Sequence, residues 1–379
     1  LEVDWGVVLR LARQHKVSSL VFWRLRDLGS EGADQTRPTG GWNDVPRGVQ
    51  EGLRADFYVE AAQQVALASE LRRILSALGD VGVPVVLLKG AALGRSVYPS
   101  PVLRSMGDVD LLVPVECQRA VHSSLEELGY RWQSAERPGY RPRRYVECFG
   151  KTWDYCGPVD SEVRYKLEVH HKLVGGAWVR GASRMTEVAA GVMERAVPMG
   201  DGMAARQLCP EDTLLHVCVH LAINNAFTGN VVRNLLDVAL LVDSGVVDWL
   251  EVQERAWSWR VATACYAALD AAARLLDAPI PDRVLGALQP GAGRRLVLDW
   301  ILDDRALVEN PWRFVGLRRF LLQFLLVDRL SDALSLLRHT FFPDRSWLML
   351  RYELESCPRW RVWLQQVWHP LRVVLRGEV

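Results

Sequence analysis

Apolar and polar positions alternate most informatively between Val85 and Val113. The apolar run Val85-Val86-Leu87-Leu88, just after Pro84, predicts a buried strand that ends on Lys89-Gly90 at a strand-to-helix turn. A proline-rich loop, Tyr98-Pro99-Ser100-Pro101, leads to Arg104-Ser105-Met106-Gly107 and then to Asp108-Val109-Asp110-Leu111-Leu112-Val113. This second predicted strand directs Asp108 and Asp110 to one face, Val109 and Leu111 to the other. A third period-two segment, VRYKLEVHHKL over Val163–Leu173, sets Arg164, Lys166, Glu168, His170 and Lys172 against Val163, Tyr165, Leu167, Val169 and Leu173. His171 falls on its apolar side and reads as a core histidine.

Elsewhere the spacing is helical. Asp4 to Leu28 predicts two short helices broken near His15, and Arg47 to Leu78 predicts a long helix or a broken pair. Val121, Leu125 and Leu128 predict a crossover helix stopped by Gly129. Tyr130 to Gly157 reads as antiparallel strands with turns at Arg137-Pro138-Gly139 and Gly157-Pro158. Pro210-Glu211-Asp212-Thr213 starts a helix that carries His216 and His220, four apart as in a helical metal pair. No third ligand follows, so zinc is disfavoured and packing favoured. Helical periodicity continues over Val231–Val242, Trp249–Trp259, Val261–Leu276, Arg294–Leu307 and Phe314–Leu337. The chain therefore reads as an α+β protein: N-terminal helices (1–80), a small mixed β-sheet core (81–205) and a C-terminal all-helical domain (206–379).

Composition narrows the class. With 379 residues, 49% hydrophobic and 24% charged, the chain has the balance of an ordinary globular protein. A formal charge of +1 gives no general pull toward nucleic acid. Seven cysteines without a CxxC spacing suggest no disulfide framework or zinc ribbon and fit a reducing cytoplasm. No signal peptide is recognisable, although the sequence starts at Leu1. Four of the five lysines, Lys89, Lys151, Lys166 and Lys172, lie between the first and second motifs, in a chain where arginine otherwise dominates. FLLQFLLV at Phe320–Val327 is far short of the roughly 20 apolar residues of a span. Near the C-terminus, arginines interleave with Trp360, Trp363 and Trp368. A core helix with snorkelling arginines is expected there rather than a lipid-facing stripe.

Asp108 and Asp110, on one face at a strand end beside a glycine turn and two cations, suit a divalent metal and a polyphosphate. The series LLKGAAL, Tyr98, Arg104 and DVDLLV resembles an uncharacterised bacterial nucleotidyltransferase family of the DNA polymerase β-like superfamily, and more distantly the nucleotidyltransferase toxins of abortive-infection systems. Lys89-Gly90-Ala91 stands where the superfamily usually has Gly-Ser. The resemblance implies a third carboxylate from a strand with an acid followed two places later by histidine, which Glu168 and His170 match; without it, a solvated edge strand is the alternative. It implies that Asp108, Asp110 and Glu168 are the catalytic and metal-holding residues, and that Lys89, Gly90, Arg104, Ser105 and His170 bind nucleotide. It also implies Mg2+ or Mn2+ as cofactor, with NTP as co-substrate. The expected reaction moves an NMP, AMP by preference, to a hydroxyl of a small molecule, a biosynthetic peptide or a protein, with natural-product tailoring as one setting. The alternative is an inactive nucleotide-sensing or partner-binding module on the same fold.

Overall fold

The computed structural model describes residues 3–30, 42–133, 142–157, 166–173, 183–200, 203–309 and 317–376. Two N-terminal helices, α1 (Trp5–Gln14) and α2 (Ser18–Ser30), meet at Lys16, whose φ of 56° makes the sharp break expected near His15. Asp4 caps α1 by accepting from the Gly6 and Val7 amides at 3.0 and 3.1 Å. The long periodic stretch is one helix, α3 (Arg47–Asp80). Its Leu53 packs on the first two helices, while Leu67, Leu71, Ile74, Leu75 and Leu78 pack under the sheet. One rigid element thus joins the N-terminal pair to the core.

The sheet has seven strands in the order β3-β4-β5-β2-β1-β7-β6. Along the chain come β1 (Val86–Leu87), α4 (Lys89–Ser96), β2 (Asp108–Leu112), α5 (Gln118–Glu127), β3 (Arg131–Trp132), α6 (Arg143–Phe149), β4 (Thr152–Cys156), β5 (Lys166–His170), α7 (Ser183–Arg195), β6 (Val197–Pro198) and β7 (Arg206–Gln207). The β2/β5 and β1/β7 pairs are parallel and the other pairs antiparallel, so the sheet is mixed as expected. Gly129 takes a φ of 85° just past α5, the left-handed C-terminal stop that glycine permits.

One expectation is corrected here. Between β3 and β4 lies a helix, α6, where only strands were expected. Tyr145 and Phe149 are one helical turn apart, 5.6 Å between ring centroids, and Tyr145 also packs edge-on against Trp347 of the C-terminal region. Tertiary burial of that aromatic face favours the helix over the β-propensity of its residues. The expected turn at 137–139, Arg164 and the proline of the expected Gly157-Pro158 turn lie outside the described residues.

Past the sheet follow α8 (Pro210–Val219), a π-helical turn (His220–Asn224), α9 (Val231–Asp243), α10 (Trp249–Trp259), α11 (Ala262–Leu276), α12 (Asp282–Leu288), α13 (Ala292–Ile301), α14 (Asp304–Glu309), α15 (Leu317–Leu326), α16 (Leu330–Phe341), α17 (Arg345–Arg351) and α18 (Arg359–Arg376). The helix expected over 314–337 is split because Asp328 turns back to accept from the Ala262 and Thr263 amides at 2.9 and 2.8 Å. Those are unpaired donors at the start of α11, and a carboxylate there is stabilised by the helix dipole. Phe320, Leu322 and Leu326 of the apolar FLLQFLLV run are buried within the helical region. No described helix is long and apolar enough to cross a membrane. The core-helix reading of the tryptophan-rich segment is also corrected: Trp360, Trp363 and Trp368 of α18 face solvent.

Sheet and helices share one apolar core, in which Val86, Leu112 and Leu93 join Leu214, Leu235, Val238 and Leu269. A buried ion pair crosses the same boundary. Arg104 donates from Nε and Nη2 to Asp237 Oδ1 and Oδ2, both at 2.7 Å, and Tyr98 adds its hydroxyl to Oδ1 at 2.7 Å. Asp237→Ala leaves that guanidinium buried and unpaired, which costs about 3–5 kcal/mol. Urea denaturation is the check, and a loss below about 1 kcal/mol would show that the pair does not hold the two regions together.

Candidate active site

Three neighbouring strands build the site. Strand β5 lies between β2 and β4, with Asp110 opposite Glu168 on one side and Asp154 opposite Glu168 on the other. Asp154, Glu168 and Asp110 therefore form a lateral row of carboxylates. Period-two alternation adds Asp108, Lys166 and His170 to the same face. The reverse face explains why the strands sit this way up: Val109, Leu111, Trp153, Tyr155, Leu167 and Val169 are all at most 2% exposed in the core beneath. Slipping one strand by a single residue would bury charges in that core.

The turn after β1 completes the site. Lys89 has a φ of 46°, in the left-handed region, so the chain reverses sharply into α4. Such a conformation costs a non-glycine residue of order 1–3 kcal/mol and persists only where its surroundings fix it. Here the side chain is anchored, because Lys89 Nζ donates to Asp110 Oδ1 at 2.6 Å. The next residue must be small: a Cβ on Gly90 would meet Met106 Cγ and Sδ at 2.6 Å. The loop before β2 is tied down by α3, where Glu60 accepts from the Met106 amide at 3.3 Å and Gln64 donates to the Arg104 carbonyl at 3.3 Å.

His170 is fully buried, with Nε2 2.8 Å from Asp110 Oδ1 and 3.6 Å from Glu168 Oε2. Asp110, Glu168 and His170 each offer a ligand atom, all within 4.8 Å of one another. Lysine and histidine both approach Oδ1 of Asp110, which leaves Oδ2 without a hydrogen bond among the described residues. The oxygens of two carboxylates so close together suit a hard divalent cation, and the imidazole orients Asp110.

The charges are balanced against strong desolvation. Burial alone would raise Asp110, but Lys89 and the His170 hydrogen bond lower its pKa to about 2. Burial also acts upward on Glu168, and is outweighed by His170, Lys89 and Lys166, which hold it well below the usual carboxylate range. Asp108 is raised, by burial first and then by the charges of Asp110 and Glu168. Lys89 loses ground to burial but is raised overall by Asp110, Glu168 and Asp108. Lys151, at the edge of the row, is lowered to about 8 by burial and by the nearby Lys89.

The row opens into a cleft of about 480 Å³ between sheet and helices. Its walls include Lys89, Gly90, Asp108, Asp110 and Glu168 on the sheet side, and Asn224, Arg233 and Asn234 on the helical side. The expected site residues thus converge, with differences in how they are engaged. Arg104 lines the cleft, but its guanidinium is committed to Asp237 and, through Nη1 at 2.7 Å, to the Ser105 carbonyl. Ser105 enters through that backbone oxygen, which also accepts from Arg233 Nη1 at 3.0 Å. His171 is stacked on Trp153 at 4.7 Å, as a core histidine would be, although neither ring nitrogen has a partner. His216 is buried beneath the site and His220 reaches the cleft at the start of the π-helical turn. Burial lowers both well below the ordinary histidine value, so they are neutral.

Several cleft residues were not singled out as site residues from the sequence. Lys151 was marked only by the clustering of lysines, and Asp154, from the sequence one of several substitutes for Glu168, is set in the row by the pairing of β4 with β5. Lys16 and Asn224 carried no local signal, because separate elements bring them to the cleft. Arg233 has a buried Nε without a partner, and burial together with Arg104 lowers its pKa to about 10.

No curated protein matches the chain. A family profile described as an uncharacterised nucleotidyltransferase matches residues 2–277, which takes in the sheet, the carboxylate row and the helices that wall the cleft. The chain belongs to this uncharacterised nucleotidyltransferase family, and is thereby a transferase of nucleotidyl groups.

Proposed function

We propose that the cleft moves an NMP, AMP by preference, from an NTP accompanied by Mg2+ or Mn2+ to a hydroxyl of a small-molecule, peptide or protein acceptor. The acceptor oxygen bonds to the α-phosphorus as the bond to pyrophosphate breaks. The observation that carries this reading is the pairing of Asp110 with Glu168 across parallel strands, beside the anchored Lys89 turn. Asp108, Asp110 and Glu168 would hold the cation, with His170 orienting Asp110. A cation held there would neutralise triphosphate charge and lower the pKa of the acceptor hydroxyl.

The remaining work falls to the chain's own groups. Glu168 is ionised at neutral pH, gains basicity when Lys89 turns from it to the phosphates, and accepts the proton of the attacking hydroxyl. Lys89, turning from Asp110 to the leaving phosphates, binds them as a point charge. Arg233 and Lys151 add charge along the cleft wall, and Gly90 leaves room for Met106 where its own backbone lines the cleft. Arg104 acts from behind, by holding the Ser105 carbonyl and the β2 entry loop in place. The cleft volume lies within the range of small-molecule sites, and the net charge of +1 leaves no broad basic footprint for a nucleic-acid acceptor.

The direct test is pyrophosphate release from each of the four common NTPs with Mg2+, combined with mass spectrometry of a cell extract for an adduct of nucleotide mass. Nucleotide binding without pyrophosphate or adduct would indicate a sensing module instead.

Asp108→Asn or Asp110→Asn is expected to abolish turnover while the fold is retained. A rate within about tenfold of wild type, roughly 1.4 kcal/mol of barrier, would remove that residue from the cation site. Glu168→Gln is expected to slow turnover by at least about 10²-fold with little change in NTP affinity, measured by calorimetry with Ca2+ in place of Mg2+. Normal turnover in this variant would transfer the role to Asp154, its neighbour in the row.

Affinity for NTP also depends on pH through Lys151. Below about 8 this lysine is charged in the free protein, and bound phosphate favours that form. Affinity therefore falls as pH rises above about 8, by up to about tenfold per unit. Lys151→Arg is expected to abolish the slope, whereas the same slope in this variant would assign it to another group.

A further inference from the structure

The last described helix carries a face that the transferase chemistry does not use. Residues beyond 277 lie outside the family match, and α18 (Arg359–Arg376) is the final helix of that region. Its inner side is fastened to the protein. Val362, His369 and Val373 are at most 3% exposed, and His369 bridges the Tyr352 hydroxyl at 2.8 Å and the Thr340 carbonyl at 2.9 Å. The helix is therefore docked, and what faces outward is set by that docking.

What faces outward is apolar. Trp360, Trp363, Val367 and Leu371 are 57%, 62%, 51% and 47% exposed, and Trp368 is 55% exposed beside them. At 100° per residue, these five positions fall within an arc of about 140° opposite the buried side. The flanks of that arc are basic: Arg359 falls on one side, Arg361 and Arg372 on the other. The helix contains no acidic residue between Arg359 and Arg376. The acids nearest in sequence are Glu378, two residues past the helix, and Glu355 and Glu353 before it, with Glu355 paired to Arg144. Tryptophan suits the lipid headgroup layer, being apolar along its ring and polar at its N–H, and arginine suits anionic headgroups. A docked helix with tryptophan outward, arginine on both flanks and no acid has the charge and shape to lie in an anionic membrane interface.

We infer that the outward face of α18 docks the protein on the surface of an anionic lipid bilayer. Binding is peripheral and reversible, with the tryptophans at headgroup depth and the arginines on lipid phosphates. It delivers the cleft to acceptors at or near that surface, a role that stands even if the chemistry of the cleft is other than proposed above.

The test uses the full chain in vesicle flotation, with vesicles of phosphatidylcholine alone and of phosphatidylcholine mixed with phosphatidylglycerol. Binding is expected on the anionic vesicles only, and is weakened by high salt. Trp360→Ser combined with Trp363→Ser, and separately Arg359→Glu combined with Arg361→Glu, are each expected to weaken it at least about tenfold. These side chains are exposed, so the melting temperature is expected to stay unchanged, and light scattering to give a monomer for all variants. Failure of the wild type to float with anionic vesicles overturns the inference. So does undiminished binding by the tryptophan variant, or a wild-type dimer that the tryptophan variant splits, which would make the face a contact between copies.

Discussion

Electrostatic repulsion between Asp110 and Glu168 is the constraint around which the site is arranged. Parallel register on β2 and β5 brings their carboxylates side by side on a largely desolvated surface, where like charges repel far more strongly than in water. The fold answers with two cations and a hydrogen bond: Lys89 from the turn after β1, Lys166 from β5, and the His170 ring against Asp110. A surface whose carboxylates gather this much positive charge suits a divalent ion. The same constraint accounts for Lys89 being held in a left-handed conformation, since that backbone angle directs the anchored ammonium at the row.

The helical region belongs to this arrangement. Asp237 on α9 holds Arg104, and Arg104 with Arg233 holds the Ser105 carbonyl just before β2. The placement of the two aspartates therefore depends on a helix more than a hundred residues downstream. Breaking the pair would disturb the cleft as well as the stability of the chain, because its two sides are braced through one buried guanidinium.

Much of this was legible in the sequence because it is local. Alternation in DVDLLV and KLEVH assigned Asp108, Asp110, Glu168 and His170 to polar faces, and the apolar run before Lys89-Gly90 located the turn. Hydrophobic periodicity marked α1, α3, α10 and α11 nearly to their ends. The less legible parts depend on long-range contacts. Helix α6 is favoured by the packing of Tyr145 on Trp347, a partner some two hundred residues away. The bond from Arg104 to Asp237 joins residues far apart in sequence, and the place of Asp154 in the row depends on β4 pairing with β5. On α18, arginine and tryptophan spacing fits a snorkelling core helix and an interfacial one equally well. Only the burial of His369 settles which side faces in.

The central claim is that the cleft transfers the nucleotidyl group rather than the terminal phosphoryl group. Two samples of NTP, one with a radioactive label on the α-phosphorus and one on the γ-phosphorus, can be incubated with the protein, Mg2+ and a cell extract. The account predicts that the α-label is retained on an acceptor and the γ-label leaves as pyrophosphate, with both outcomes lost in Asp110→Asn. Retention of the γ-label on the acceptor, or α-label transfer that persists in Asp110→Asn, would contradict it.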